Sequence, residues 1–123
     1  MPTITHFDIP VDNIERAKKF YTDLFGWKIE RMPGPMEYYG ISTNNEKGEM
    51  GVGGGMAKRN NPADRITNYI DVPSVDEYLS KVETLGGKIV LPKTTVPGFG
   101  YLAVCLDTEN NPFGLWETDQ KAK

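Results

Sequence analysis

Two kinds of hydrophobic spacing alternate along the chain, and the alternation happens twice. Ile4–Val11 is rich in apolar and β-branched positions and reads as a strand. Ile14, Ala17, Phe20, Tyr21, Leu24 and Phe25 then fall at helical spacing, and Gly26 supplies the stop. Asp12 or Asn13 can cap this helix, with Glu15 placed to close a capping box on Asp12. Three strand-like runs follow, Trp27–Met32, Glu37–Thr43 and Met50–Met56, with turns at Pro33-Gly34-Pro35 and Asn44–Gly48.

The second half repeats the order. Ile66–Val72 reads as a strand, and Ser74 with Glu77 as a capping box. Val75, Tyr78, Leu79, Val82 and Leu85 form a helical stripe that Gly86-Gly87 ends. Lys88–Pro92, Tyr101–Leu106 and Phe113–Thr118 are the strands after it. Val11 and Val72 lie 61 positions apart and Gly26 and Gly86 lie 60 apart, so the halves match in spacing as well as in order. The reading is one α+β domain over residues 1–123, built from two tandem βαβββ modules. Module one covers about 1–57, a polar linker about 58–64, and module two about 65–118. A short sheet with a helix on one side leaves its other face uncovered. Two such faces turned together predict a partly open, barrel-like cleft in which a ligand would sit.

Composition narrows the function. The chain is 38% hydrophobic and 25% charged, an ordinary globular balance. Its net charge of −3 and lack of basic runs argue against nucleic-acid binding. No apolar stretch reaches membrane-spanning length, and the polar residues after Met1 predict no signal peptide. Cys105 is the single cysteine, so no internal disulfide can form, which fits a cytoplasmic protein. Its setting, Tyr101–Leu106, reads as a buried strand in which a thiol serves as a small core residue.

Local motifs add a resemblance. Thr5–Ala17, followed by Phe20-Tyr21 and Phe25-Gly26-Trp27, looks like the first strand and helix of the vicinal-oxygen-chelate superfamily, the glyoxalase, bleomycin-resistance and ring-cleaving dioxygenase group. Asp107–Glu117 resembles the final hairpin of that group, with Thr108 and Asn110 replacing the usual Pro and Gly of its turn. Asn tolerates the left-handed geometry that such a turn needs. The resemblance implies the glyoxalase/bleomycin resistance fold and a homodimer. It leaves the activity open, because the group includes lyases, isomerases, dioxygenases, transferases and drug-binding proteins.

Metal-dependent members carry one ligand on the first and last strand of each module. His6 stands at the first such position, because Phe7, Ile9 and Val11 form the helix-facing side of the strand and leave His6 and Asp8 towards the cleft. Matching Val72 to Val11 puts Thr67 at the second, while Gly53 in the Gly51–Gly55 run and Gly114 in the last strand take the others. One match in four predicts a protein with no metal cofactor, since a catalytic divalent ion needs three or more protein donors. His6 would be a ligand only if a divalent ion were bound.

His6 and Asp8 remain as the candidate catalytic pair, an imidazole beside a carboxylate able to act as a general base, or simply as a satisfied pair on the cleft wall. Tyr69, Asp71 and Trp116 share the inferred cleft face and could stack on a ligand or fill core. One of the adjacent Tyr38 and Tyr39 points inward, and the pattern leaves open which. The glycine run is no phosphate loop, since no Gly-Lys-Ser/Thr follows it; it permits a bulge, a close backbone approach or an opened pocket. Val96–Gly100 reads as a hairpin loop or a flap, Glu15, Arg16, Lys18, Lys19 and Asp23 as a solvated helix face, and Asp119–Lys123 as a frayed tail. The leading expectation is a protein that binds a small organic molecule, or a metal-free enzyme, with Gly53, Thr67, Tyr69, Gly114 and Trp116 as ligand contacts. A metal-dependent lyase or isomerase resembling lactoylglutathione lyase, and a dimeric interaction module with a vestigial cleft, are the alternatives.

Overall fold

A computed structural model describes residues 1–123. The chain forms two compact units, His6–Ile66 and Thr67–Lys123, with Met1–Thr5 belonging to the latter. No helix is long and apolar enough to cross a membrane.

The first unit takes in most of β1 (Thr3–Val11), then α1 (Ile14–Phe25), β2 (Lys28–Arg31), β3 (Tyr38–Ser42) and β4 (Gly53–Lys58). Its strands lie in the order β2-β3-β4-β1, with β4 parallel to β1 and the other pairs antiparallel. The helix carries the chain across one sheet face, and the three up-and-down strands then bring β4 back along the direction of β1. Ile9, Val11, Ile14, Ile29, Ile41 and Met56 form the core, with Phe7, Ala17, Tyr21, Trp27 and Tyr39 packed against it. The Trp27 ring stacks on Tyr21 at 5.2 Å and 8°.

The predicted helical stripe proves wider than the core it covers. Ile14 is buried and Ala17 and Tyr21 are half-buried, whereas Phe20, Leu24 and Phe25 are 59%, 57% and 57% exposed. Ile14, Ala17 and Tyr21 follow i, i+3, i+7 and form the line facing the sheet; the others flank it. The cap is also resolved. Asn13 accepts from the Arg16 N–H at 2.9 Å, while Asp12 pairs with Arg59 at 3.2 Å instead of capping. Gly26 sits at φ 74° and donates to the Thr22 carbonyl at 2.8 Å, ending the helix.

The second unit repeats this plan with β5 (Thr67–Asp71), α2 (Val75–Thr84), β6 (Lys88–Val96), β7 (Gly100–Leu106) and β8 (Pro112–Thr118). The order is β6-β7-β8-β5, and β5 runs parallel to β8. The internal repeat is therefore present in topology. Val72, Val75, Ala103, Cys105 and Leu115 form the core. Cys105 is fully buried there, and burial pushes its thiol pKa up. Ser74 accepts from the Glu77 N–H at 3.2 Å, and the Glu117 carboxylate accepts from the Val75 N–H at 2.9 Å, so two side chains satisfy the start of α2.

Three loop expectations meet the structure differently. Asn110 adopts φ 65°, as the Asp107–Asn111 turn requires. Strand β6 runs on to Val96, past the expected end at Pro92, because register shifts on either side of Leu91 let the pairing with β7 continue around a proline that cannot donate. The tail is tied down rather than frayed over Asp119–Ala122. Asp119 donates to the Phe99 carbonyl at 2.9 Å, and the Ala122 carbonyl accepts from Gly98 at 2.8 Å. These bonds also anchor Val96–Gly100 as a hairpin turn rather than a flap.

Candidate functional site

Strand alternation positions the site. In β1, Phe7, Ile9 and Val11 face the helix, so His6 and Asp8 occupy the other side. The parallel register sets His6 beside Gly53 and Asp8 beside Gly55, and the β3–β4 register sets Gly40 beside Gly55 and Tyr38 beside Ala57. Tyr38 therefore shares the His6 and Asp8 face, while Tyr39 packs into the core. This settles which of the adjacent tyrosines turns to the site.

The three side chains meet. His6 Nε2 lies 2.9 Å from Asp8 Oδ1 and 3.0 Å from Tyr38 Oη, and the Tyr38 hydroxyl donates to Asp8 Oδ1 at 2.7 Å. With the proton on Nε2, the imidazole also donates to Asp8; with Nε2 bare, it accepts from Tyr38 instead. The cluster can thus redistribute a proton without moving heavy atoms. The His6 and Asp8 side chains are 38% and 34% exposed, so solvent or a ligand reaches them.

Gly55 makes the meeting possible. A Cβ there would lie 1.6 Å from Tyr38 Oη, 2.1 Å from its Cζ and 2.7 Å from Asp8 Oδ1. The close approach allowed by the glycine run is filled by this chain's own tyrosine. Gly54 serves likewise on the helix side, where a Cβ would come within 2.4 Å of the Phe7 carbonyl oxygen and 2.7 Å of its ring. Gly53 is looser, with only the Ile41 carbonyl near a built Cβ, at 3.2 Å. Tyr38 is the residue that sequence reasoning left undetermined; the signal lay in pairing it with a glycine on the same sheet face.

The other candidates lie in the second unit. Tyr69 stands beside Gly114 and Asp71 beside Trp116 in the β5–β8 register, with Thr67 on the same face of β5. Tyr69 is 9% exposed and lies against Gly114, where a Cβ would fall 2.1 Å from the ring. The Trp116 indole N–H donates to Thr118 Oγ1 at 3.0 Å. Glu117 points to the opposite face and serves α2.

These residues do not fit a divalent ion held by the chain. His6 and Asp8 are two donors from one strand; Gly53 and Gly114 offer no side chain, and Thr67 offers a neutral hydroxyl. No group of three or more His, Cys, Asp or Glu side chains converges anywhere in the molecule. The Tyr38 hydroxyl sits beside both donors.

Comparison with known proteins agrees with this architecture. Residues 3–44 match the family model described as bleomycin resistance protein-like N-terminal. CFP32 of Mycobacterium tuberculosis, provisionally named a glyoxylase, is 28% identical over 116 residues, covering 92% of this chain and 44% of the relative. The anthracycline biosynthesis protein DnrV of Streptomyces peucetius is 25% identical over 124 residues, covering 89% and 45%. This chain thus spans less than half the length of these two curated relatives. A Streptomyces coelicolor methylmalonyl-CoA epimerase superposes with a TM-score of 0.69 at 9% identity, over 98% of this chain and 96% of that one, which is a likeness of fold. With its duplicated βαβββ topology, the chain is similar to the vicinal-oxygen-chelate (glyoxalase/bleomycin resistance) superfamily, in sequence over residues 3–44 and in fold over nearly its whole length.

Proposed function

We propose that the chain binds a compact, carbonyl-bearing organic molecule through His6, Asp8 and Tyr38, without a divalent ion as cofactor. The carrying observation is the mutual contact of these side chains at 2.7–3.0 Å over a glycine floor. A carbonyl oxygen can take the hydrogen bond that Tyr38 now gives to Asp8, or one from the imidazole, so the ligand exchanges with an internal contact of similar strength. The name of the anthracycline-biosynthesis relative and the methylmalonyl-CoA bound to the epimerase fold neighbour support an organic ligand.

A second reading follows from the 2.9 Å His6–Asp8 contact. A carboxylate hydrogen-bonded to the imidazole orients the ring, so His6 could take a proton from carbon next to the bound carbonyl. The test is a thermal-shift and calorimetric screen of diketones, α-hydroxyketones, quinones and acyl thioesters, repeated on His6→Ala and Tyr38→Phe. Ligand-induced stabilisation that both variants lose supports the site. Stabilisation that neither variant alters, or binding lost on chelation and restored by a stoichiometric divalent ion, refutes it.

A further inference from the structure

A concave surface lies on the helix side of the first unit's sheet, on the face opposite His6, Asp8 and Tyr38. It is a cavity of about 650 Å³ between the start of α1, the end of β1 and the Arg59–Ile66 segment. Its wall is organised. The Arg59 N–H donates to the Val11 carbonyl at 2.8 Å. The Arg59 guanidinium donates to Asp12 at 3.2 Å, to the Pro10 carbonyl at 3.3 Å and to the Asp64 carbonyl. The Asp64 carboxylate accepts from the N–H groups of Asn60 and Asn61 at 3.0 and 3.1 Å. Both acids lining the cavity, and Arg59 itself, are therefore used in holding the wall.

Arg16 is different. It is exposed at the cavity, and none of the chain's ion pairs includes it. Phe20, four residues along the same helix face, is 59% exposed, and Ile66 across the cavity is 54% exposed. A cation without a carboxylate partner thus stands beside two apolar side chains that still contact water. Burying those surfaces is favourable, and the charge selects what carries them. A guanidinium matches a carboxylate through two parallel hydrogen bonds.

We infer that this cavity binds a small carboxylate with an apolar, ring-bearing body, Arg16 holding the carboxylate and Phe20 and Ile66 enclosing the ring. The site is independent of the His6 cluster and stands whether or not that cluster binds a ligand. The test uses the full chain, labelled with nitrogen-15 and titrated with hydrocinnamate, with hydrocinnamide as the uncharged control. Hydrocinnamate should shift the amide signals of Ala17, Phe20 and the Arg59–Ile66 segment. Arg16→Gln should weaken binding about tenfold, the loss of one charge-assisted contact at a solvent-open site, and the amide should bind the parent as weakly. Phe20→Ala should weaken both probes. Both side chains are exposed, and an unchanged amide spectrum will verify that the variants are folded. No perturbation at millimolar probe, shifts centred on His6 and Tyr38, equal affinity for acid and amide, or an Arg16→Gln variant that binds like the parent would each overturn the inference.

Discussion

Replacing Gly55 by alanine tests the packing of the His6 cluster directly. The new methyl carbon would lie 1.6 Å from Tyr38 Oη, so the phenol must retreat by about 1.8 Å to reach ordinary contact. A shift of that size stretches bonds of 2.7 and 3.0 Å past any useful geometry. At partial exposure each lost bond is worth about 1 kcal/mol. Residual overpacking adds about 1 kcal/mol. The alanine restricts the unfolded chain and returns about 0.5–1 kcal/mol, because Gly55 has an ordinary backbone conformation. The net expectation is a loss of about 2–2.5 kcal/mol, or a melting point lower by about 6–15 °C. Urea titration of Gly55→Ala, Tyr38→Ala and the double variant closes the cycle. With Tyr38 truncated only the Asp8 carboxylate oxygen, 2.7 Å from the new carbon, has to give, so the glycine replacement should become close to neutral. The pair should then couple by at least about 1.5 kcal/mol. Additive effects would show that Tyr38 does not lie over Gly55, and the cluster would dissolve with it.

Other expectations are more local. Asn13→Ala should destabilise the chain by about 1 kcal/mol in urea, since one N–H at the start of α1 loses its acceptor; Asp12→Asn should cost clearly less. Cys105 should resist iodoacetamide in the native protein and react fully in urea, because the thiol is buried and its pKa raised; fast native alkylation would contradict the packing of the second core. The backbone N–H of Asn111, and then that of Glu109, hold the Asp107 carboxyl below its ordinary value. Folding thus favours the carboxylate, whose contribution is present above the unfolded pKa of about 3.9 and disappears as pH falls through the lower folded value. An Asp107→Asn variant should therefore show a shallower loss of stability over that acid range, and an unchanged slope would refute the assignment.

Much of this fold is legible in its residues because the signals are local. The stop at Gly26, the cap at Ser74 and the left-handed Asn110 each depend on backbone groups within a few positions. The facing of His6 and Asp8 follows from strand alternation alone. Tyr38 could not be assigned that way, since either of two adjacent rings is suited to the core and only the register of β3 on β4 decides. The tail escaped notice for a similar reason, as Ala122 has no sequence feature that announces its bond to Gly98. The first helix misled in the opposite sense. Its stripe contains more apolar residues than the sheet can cover, so periodicity identifies the helix correctly and overstates what it buries.

The tyrosine seated over Gly55 also constrains the order in which this site can evolve. A single base change converts a glycine codon to aspartate, yet an acidic side chain at position 55 would collide with the phenol before it could hold anything. The phenol at position 38 has to move or be replaced before position 55 can carry such a side chain. Tyr38 thereby ties two strands together: a side chain gained at position 55 comes at the expense of the ring's contacts with His6 and Asp8.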